Sequence, residues 1–594
     1  MRTRSLLRWS VLLAILAVLA ALLPGTSLAR PATSGGAGRY LVMARSKADY
    51  GALRAKALHS GARIVRELPQ VGTLVVDASS SARSSLAAGA TVAPDGVKKI
   101  ASADLPRPNL SAPGLRSAQK VTVHGSPTAA ASAGITPDPA FSYKGLLWDY
   151  GRIGLPQGWN TTAGSSNVTV AVADTGLDYT HVELAPKVEQ VVDFTPLEGD
   201  QPICKGAFGI SDDDLAAQFG GPATTDWNGH GSWIGGNIAA ALNGTGTNGI
   251  APRVGLVALK ISQWCGSAYD SELLAAFLYA ADHGIDVVSI SFGGYTDRSD
   301  PDQEAIYQEY VQVVKYARSK GTVIAASAGN EHVRVGAGGK VLTHGQLSTP
   351  GDKKADWPDL FGQYETPGGV PGVVDVSATG NVVNASSGSC PPGTEGTPDN
   401  TSATCKPLSD RHQAAGTGRK NQLAYYSNYG PRIDVAAPGG ARKFNLPVWD
   451  RGGTPGFPYT SDDLTNVWEA FSTTSNWAVE IPCFVFTKGS GFPQGQCYSA
   501  IQGTSMAAPH ASASLALIAS AHPSLRKHPA ALVTRLKALA NDNVSNFTTA
   551  LSSTDHSKGD LSGLPCSIRY CHLGGTRISS SDAYGAGLVN VANP

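Results

Sequence analysis

The chain has 594 residues, 42% of them hydrophobic and 16% charged, with 8 Cys and a formal net charge of +1. That length suggests roughly two to four folding units, and the 68 Gly and 37 Pro, about 18% together, stay below the share that marks low-complexity chains. A near-zero balance with no long Lys/Arg block argues against a nucleic-acid binder.

Arg2, Arg4 and Arg8 precede an unbroken apolar run of 13 residues, Val11 to Leu23; Pro24 and Gly25 end it, and Ser27-Leu28-Ala29 offers a small-x-small cleavage site. Residues 1–29 read as a cleaved secretory signal, because the run is shorter than the ~18 residues that span a bilayer. A retained anchor is the rival. The cysteines Cys204, Cys265, Cys390, Cys405, Cys483, Cys497, Cys566 and Cys571 all follow residue 200, and export would let them form disulfides. Nearest-neighbour pairing joins the last six in sequence order and leaves Cys204 for Cys265. The spacings lack the paired C-x2-C clusters of a zinc site.

Residues 39–100 alternate strand and helix patterns. Arg39 to Met43, Ile64 to Leu68 and Thr73 to Val76 read as strands, Lys47 to Ser60 and Ala82 to Ala88 as helices, and Ala90 to Ala93 as a closing strand. The order βαββαβ predicts a small α+β, ferredoxin-like domain. It holds 10 basic and 4 acidic side chains. Residues 1–142 as a whole carry 17 Lys and Arg against 6 Asp and Glu, leaving 30 against 40 for residues 143–594. A basic module tethered to an acidic one suggests an electrostatically matched intramolecular partner. Residues 101–142, rich in Pro, Ala and Ser and without periodicity, read as a linker.

Three segments beyond it carry candidate chemistry. Asn167 to Ala173 alternates valine with small residues, a buried strand, and stops at Asp174-Thr175-Gly176. That places Asp174 at the carboxyl end of a strand, the edge where open α/β sheets bind ligands. Asp226-Trp227-Asn228-Gly229-His230-Gly231-Ser232 brackets a histidine with glycines and leads into a helix of small residues. Gln502-Gly503-Thr504-Ser505-Met506-Ala507-Ala508-Pro509-His510 sets Ser505 at a helix N-terminus, where the dipole and free N–H groups can stabilise an oxyanion. Alone, each has a plain structural explanation: a turn Asp, a packed His, an N-cap Ser. Together they supply what a serine nucleophile needs, an imidazole to take its proton and a carboxylate to orient that imidazole. His510 points about 140° away from Ser505 at ~100° per residue and is no candidate base. Gly321 to Asn330 reads as a buried strand ending in an amide, and Asn330 can donate an N–H to the oxyanion.

The Asp-Thr-Gly, His-Gly-Ser-x-x-Gly-Gly and Gly-Thr-Ser-Met-Ala-Ala-Pro-His segments resemble those of the subtilisin-like serine protease (subtilase) family, over most of residues 145–330 and 420–594. Ser232 stands where many members have Thr. The resemblance implies a three-layer α/β catalytic domain with a mostly parallel sheet over residues 143–594. It implies a triad of Asp174, His230 and Ser505, with Asn330 as oxyanion-hole amide. Ser289-Ile290-Ser291-Phe292-Gly293 is similar to the family's edge strand for extended substrate, and Ala326-Ser327-Ala328-Gly329 to a wall of its primary specificity pocket. Residues 39–100 resemble its inhibitory propeptide, a folding chaperone whose tail lies in the cleft until removed. Tyr425 to Gly430, Asp434 to Gly439 and Gly585 to Val589 also look like family segments.

Asn330 and Ser505 lie 175 apart in sequence, more than compact members need. Insertions at about 331–424 and 440–500 are therefore expected as disulfide-stapled loops or a small β subdomain. No cofactor is required for the chemistry. Asn243 to Thr247 occupies the place of a calcium loop in many relatives, and Glu183 stands where they often carry Asp, so Glu183, Asn243, Thr245 and Thr247 are the candidate ligands of a structural Ca²⁺. The expectation is a secreted serine endopeptidase made as a zymogen. It would act on polypeptides, be held by its own propeptide, and have no membrane partner after signal cleavage. A catalytically silent binding relative and an exopeptidase of the same fold are the alternatives. Side-chain preference and the maturation point, anywhere from Val97 to Phe141, are not legible.

Overall fold

The computed structural model describes residues 38–100, 108–121, 135–143, 146–195, 203–344, 359–381, 420–424, 426–441, 469–541, 549–550 and 577–594. The expected signal segment, Tyr425 and four of the cysteines (Cys390, Cys405, Cys566 and Cys571) lie outside them, as do parts of both insertions.

The front module is β1 (Gly38–Ala44), α1 (Tyr50–His59), β2 (Arg63–Leu68), β3 (Thr73–Ala78), α2 (Ser80–Ala87) and β4 (Ala90–Pro94). Its antiparallel sheet runs in the order β2-β3-β1-β4. Ser79 caps α2 by accepting from the Ala82 amide, filling one of the orphan donors of the first turn. Strand alternation divides the sheet's side chains. Val42, Leu74 and Val76 pack with Leu53, Ala57 and Leu86 of the two helices, while Leu41, Val75 and Ala93 face the larger unit.

The chain continues as β5 (Val97–Ile100) and β6 (Gln119–Val121). Next come β7 (Thr169–Asp174), β8 (Val188–Asp193), α3 (Asp212–Phe219), α4 (His230–Ala239), β9 (Gly255–Lys260), β10 (Ser267–Tyr269) and α5 (Asp270–Asp282). Then follow β11 (Val287–Ile290), β12 (Phe292–Thr296), α6 (Pro301–Ser319), β13 (Val323–Ser327), β14 (Tyr364–Thr366), β15 (Val374–Asn381), β16 (Lys420–Leu423) and β17 (Val435–Pro438). Further on lie β18 (Ala470–Thr473), β19 (Phe484–Phe486), β20 (Tyr498–Ile501), α7 (Thr504–Ala521) and α8 (Pro529–Leu539).

The central sheet has the order β16-β15-β13-β11-β7-β9-β8, with β17 also on β15. Every pairing is parallel except β15 with β16. Parallel strands must be covered on both faces, and the side chains are sorted accordingly. Val170 and Val172 of β7 pack toward α4 and α7 with Trp233, Met506 and Leu515. Ala171 and Ala173 pack toward α5 and α6 with Leu273, Phe277 and Tyr310. The front module rests on this second helical layer, where Leu41, Val75 and Ala93 join the same cluster.

The Pro/Ala/Ser-rich stretch is built into the larger unit over its described parts. Asn109 N donates to Val479 O, Gly114 N to Ala478 O, and β6 pairs in parallel with β19. A Cβ at Gly114 would lie 1.9 Å from the Asn476 carbonyl oxygen, a contact only glycine permits. Ile135, Ala140 and Tyr143 are buried in the core beside α7. Cys204–Cys265 and Cys483–Cys497 form disulfides, as nearest-neighbour pairing expects.

Candidate active site

Four segments meet at the carboxyl edge of the central sheet. β7 ends on Asp174, 1% exposed, whose Oδ1 lies 2.7 Å from His230 Nδ1 and accepts from the Thr175 amide at 2.8 Å. His230 is the first residue of α4 and fully buried. Its neighbouring glycines have separate reasons. Gly229 sits at φ +102°, and a Cβ on Gly231 would come 2.1 Å from the Gly176 carbonyl oxygen, so the helix start can approach the end of β7 only without a side chain.

Asp226, not singled out as functional from sequence, organises this corner. Its Oδ1 accepts from Thr175 Oγ1 (2.9 Å), Asn228 N (3.1 Å) and Gly229 N (2.8 Å), and its Oδ2 from Ser232 N (2.7 Å). The signal was present as an acid four residues ahead of the histidine.

Ser505 is the second residue of α7, entered through Gly503. Its hydroxyl makes a long contact, 3.4 Å, to the Ser291 carbonyl, while Ser291 Oγ donates to the Ser505 carbonyl at 3.0 Å. His230 Nε2 is buried without a hydrogen-bond partner among the described residues. Asn330, three residues past β13, accepts from Thr504 N (2.9 Å) and Thr504 Oγ1 (3.0 Å) through Oδ1. That contact ties the amide to the residue ahead of Ser505. His510 lies 2.9 Å from Asp149 Oδ2 through Nε2 and has its Nδ1 at 2.7 Å from the Met506 carbonyl. It is a buried structural histidine, in keeping with its place on the helix.

The last strand before residue 101, β5, lies in a groove between two edges of the larger unit. It runs antiparallel to β10, with Lys98 opposite Ala268 and Lys99 opposite Ser267, and antiparallel to β12, with Lys99 opposite Gly293 and Ile100 opposite Phe292. Phe292 directly follows Ser291, the residue bonded to Ser505. Phe292 and Gly293 thus carry the extended chain, whereas Ser289 belongs to β11 inside the sheet, opposite Val172 and Ala325.

Ala326 and Ser327 close β13, and Ala328 and Gly329 follow. Behind this wall stands a cluster that the sequence did not reveal. Tyr295 donates to Glu331 Oε2 at 2.6 Å, and Asn428 Nδ2 donates to the Ala328 carbonyl at 2.5 Å. Glu365 and Asp375 are buried, and their carboxyl oxygens have no hydrogen-bond partner among the described residues. Burial pushes Asp375 up to about 7 and Glu365 well above the usual carboxylate range, against the pull of Arg432.

The expected calcium ligands are otherwise engaged. Glu183 Oε1 accepts from Tyr498 OH (2.8 Å) and Thr247 N (3.2 Å), and Oε2 from Asn243 Nδ2 (3.0 Å). Asn243 Oδ1 accepts from Thr245 N (3.1 Å), and Thr245 Oγ1 donates to the Gly491 carbonyl (2.8 Å). Thr247 Oγ1 is buried with no partner among the described residues. The Asn243 amide therefore turns its NH₂ toward Glu183 where a cation would want oxygen. As arranged, these residues do not fit the ion.

A doubly covered parallel sheet with carboxylate, imidazole, helix-terminal hydroxyl and amide gathered at one edge, and an extended strand seated beside them, defines a class of α/β architecture. The profile of the Subtilase family matches residues 165–555, and the chain belongs to that family. Over 197 residues it is 34% identical to thermitase of Thermoactinomyces vulgaris, covering 32% of this chain and 57% of that protein. Over 200 residues it is 31% identical to the thermophilic serine proteinase of Bacillus sp. (strain AK1), covering 34% of this chain and 42% of that one. The chain thus spans about half the length of these curated relatives. In fold it is similar to the epidermin leader peptide processing serine protease EpiP of Staphylococcus aureus, with a TM-score of 0.54, 17% identity and coverage of 94% of this chain and 97% of that chain. It is also similar to fervidolysin of Fervidobacterium pennivorans, a keratinolytic enzyme related to subtilisin, with a TM-score of 0.51, 18% identity and coverage of 96% and 64%.

Proposed function

We propose that the chain is a serine endopeptidase, exported through its apolar amino-terminal segment and made as a zymogen whose front module occupies the substrate groove. Ser505 Oγ attacks the peptide carbonyl. His230 Nε2, reached by rotation of the hydroxyl away from Ser291, takes its proton and returns it to the leaving amine. Asp174 fixes the proton on Nδ1 and stabilises the imidazolium. The Ser505 amide at the start of α7 and the NH₂ of Asn330 hold the oxyanion. Water then hydrolyses the acyl-enzyme by the same relay.

The observation that carries this reading is the register of β5, a backbone held on both edges as a substrate would be and leading to the serine. Ile100, the last residue of β5, is opposite Phe292, which directly follows the Ser291 that contacts Ser505. We expect maturation to cut after Ala101, leaving Ser102 as the new amino terminus. The chain is also docked beyond the reactive groups. Residues 109–115 bond to Asn476–Val479, and Val479 and Ile481 in turn bond to Trp227 and Asn228 ahead of His230. A groove that accommodates chain on both sides of the serine supports endopeptidase over exopeptidase action. The disulfides agree with an oxidising compartment.

Ser505→Ala should arrest maturation and lower peptide hydrolysis about a millionfold, the size known for subtilisin, and a fluorophosphonate should label the unaltered chain at Ser505 alone. Undiminished hydrolysis by the variant would refute the assignment.

A further inference from the structure

Strand alternation puts Lys98 and Ile100 of β5 on the same face. Lys98 is the less expected occupant of a protein groove, since an ammonium leaves water at a cost that only a well-placed carboxylate offsets. Its side chain is 7% exposed, and Nζ lies 3.4 Å from Oδ1 of Asp270, itself 2% exposed. Tyr310 donates to the same oxygen at 2.7 Å. The lysine stem passes over Gly294, where a Cβ would sit 3.3 Å from Lys98 Cδ. The strand's main chain is fixed to the same residue, because the Asp270 amide donates to the Gly96 carbonyl at 2.8 Å. Asp270, Gly294 and Tyr310 thus form a side-chain site that the larger unit owns and the front module fills.

The other charges around it separate when the module departs. Arg39 over Tyr269, Arg66 bonded to the Phe194 carbonyl, and Asp95 bonded to Ser271 all belong to residues before 101. Asp270 and the buried Glu272 stay behind on α5. The vacated site keeps its negative charge and loses its cations.

We infer that Asp270 makes the mature enzyme select a positively charged side chain, Lys or Arg, at the fourth residue before the bond it cuts. Lys98 is the built-in specimen of that preference. The inference rests on the proposed hydrolase reading and on the cut after residue 101 proposed with it.

The test uses the mature enzyme and internally quenched peptides that differ only at that fourth residue: Lys, norleucine or Glu. The unaltered enzyme should prefer Lys over norleucine by about tenfold or more in kcat/KM, the scale of a charge-assisted contact. Asp270→Asn should bring that ratio to about one, and Asp270→Lys should favour Glu. Fluorophosphonate labelling of each variant checks that the site is assembled. A second measurement leaves the mature enzyme untouched: Lys98→Met in the full chain should speed release of the processed front module by about tenfold or more. A Lys-to-norleucine ratio near one in the unaltered enzyme, or one that Asp270→Asn leaves unchanged, overturns the assignment and leaves Asp270 as a helix-terminal acid only. Absence of cleavage of every peptide, with Ser505 unlabelled, marks instead the failure of the hydrolase reading and removes the inference with it.

Discussion

Replacing Asp95 by Ala should loosen the processed front module from the larger unit by about one order of magnitude at pH 4. Asp95 is 8% exposed. Its Oδ1 accepts from the Ser271 amide at 3.0 Å and its Oδ2 from the Ser271 hydroxyl at 2.6 Å, in the first turn of α5. Burial favours the neutral carboxyl in the docked state, and hydrogen bonds to a neutral group contribute about 0.5–1.5 kcal/mol each. The proton the carboxyl takes up on docking offsets a small part of that gain at pH 4. A net loss of about 1–2 kcal/mol corresponds to about a 5- to 30-fold weaker complex. The assay dilutes the processed, non-covalent complex and follows recovery of peptide hydrolysis with time. Because Asp95 departs with the module, the released enzyme is identical in both cases, so the rate of recovery reads the interface alone. Asp95→Asn, which keeps an acceptor without the charge that burial disfavours, should release no faster than the unaltered chain. A change under about threefold for Asp95→Ala would show that the Ser271 contacts contribute nothing net, and the reasoning would fail.

The same interface should respond to pH. Burial pushes docked Asp95 up to about 7, while a free carboxyl of this type titrates near 3.9. A group whose value is raised on docking contributes attraction that is full below about pH 4 and is lost as pH rises through about 7. Release should therefore be faster at pH 8 than at pH 5, and Asp95→Asn should flatten that profile. Asn330→Ala should lower kcat by about 10²–10³ with little change in KM; a change confined to KM would argue against an oxyanion role. Removing the Cys204–Cys265 bridge, 61 residues apart, should cost about 4 kcal/mol by loop-closure entropy. Denaturant unfolding of the inactive Ser505→Ala background measures this without autolysis.

Much of the framework was legible because its signals are local. The Val168-Thr169-Val170-Ala171-Val172 alternation sorts side chains to two helical layers. The small residues around His230 and Ser505 mark helix starts that must come close to neighbouring backbone. The charge contrast between residues 1–142 and the remainder likewise agrees with a basic module resting on α5 and α6. What failed to show was set by partners distant in the chain. Residues 108–121 carry no periodicity because they are tied to Asn476–Val479 and β19, with only short turns such as Arg116 N to the Pro113 carbonyl among themselves. Glu183 and Asn243 read as oxygen ligands, yet Tyr498, 315 residues away, supplies a hydroxyl that satisfies the carboxyl instead.

Substrate preference belongs to the same class of hidden information. No motif around Asp270 distinguishes an acid that caps a helix from one that reads a cation, since Asp in a first turn is favourable for either reason. The distinction comes from the other end of the contact. A helix-capping acid gives no reason for a buried lysine on a strand 172 residues earlier, whereas an acid lining a groove does. On the proposed reading, the front module therefore records, in β5, one sequence the groove accepts. Val97-Lys98-Lys99-Ile100 is informative about specificity because it was folded into the site it occupies.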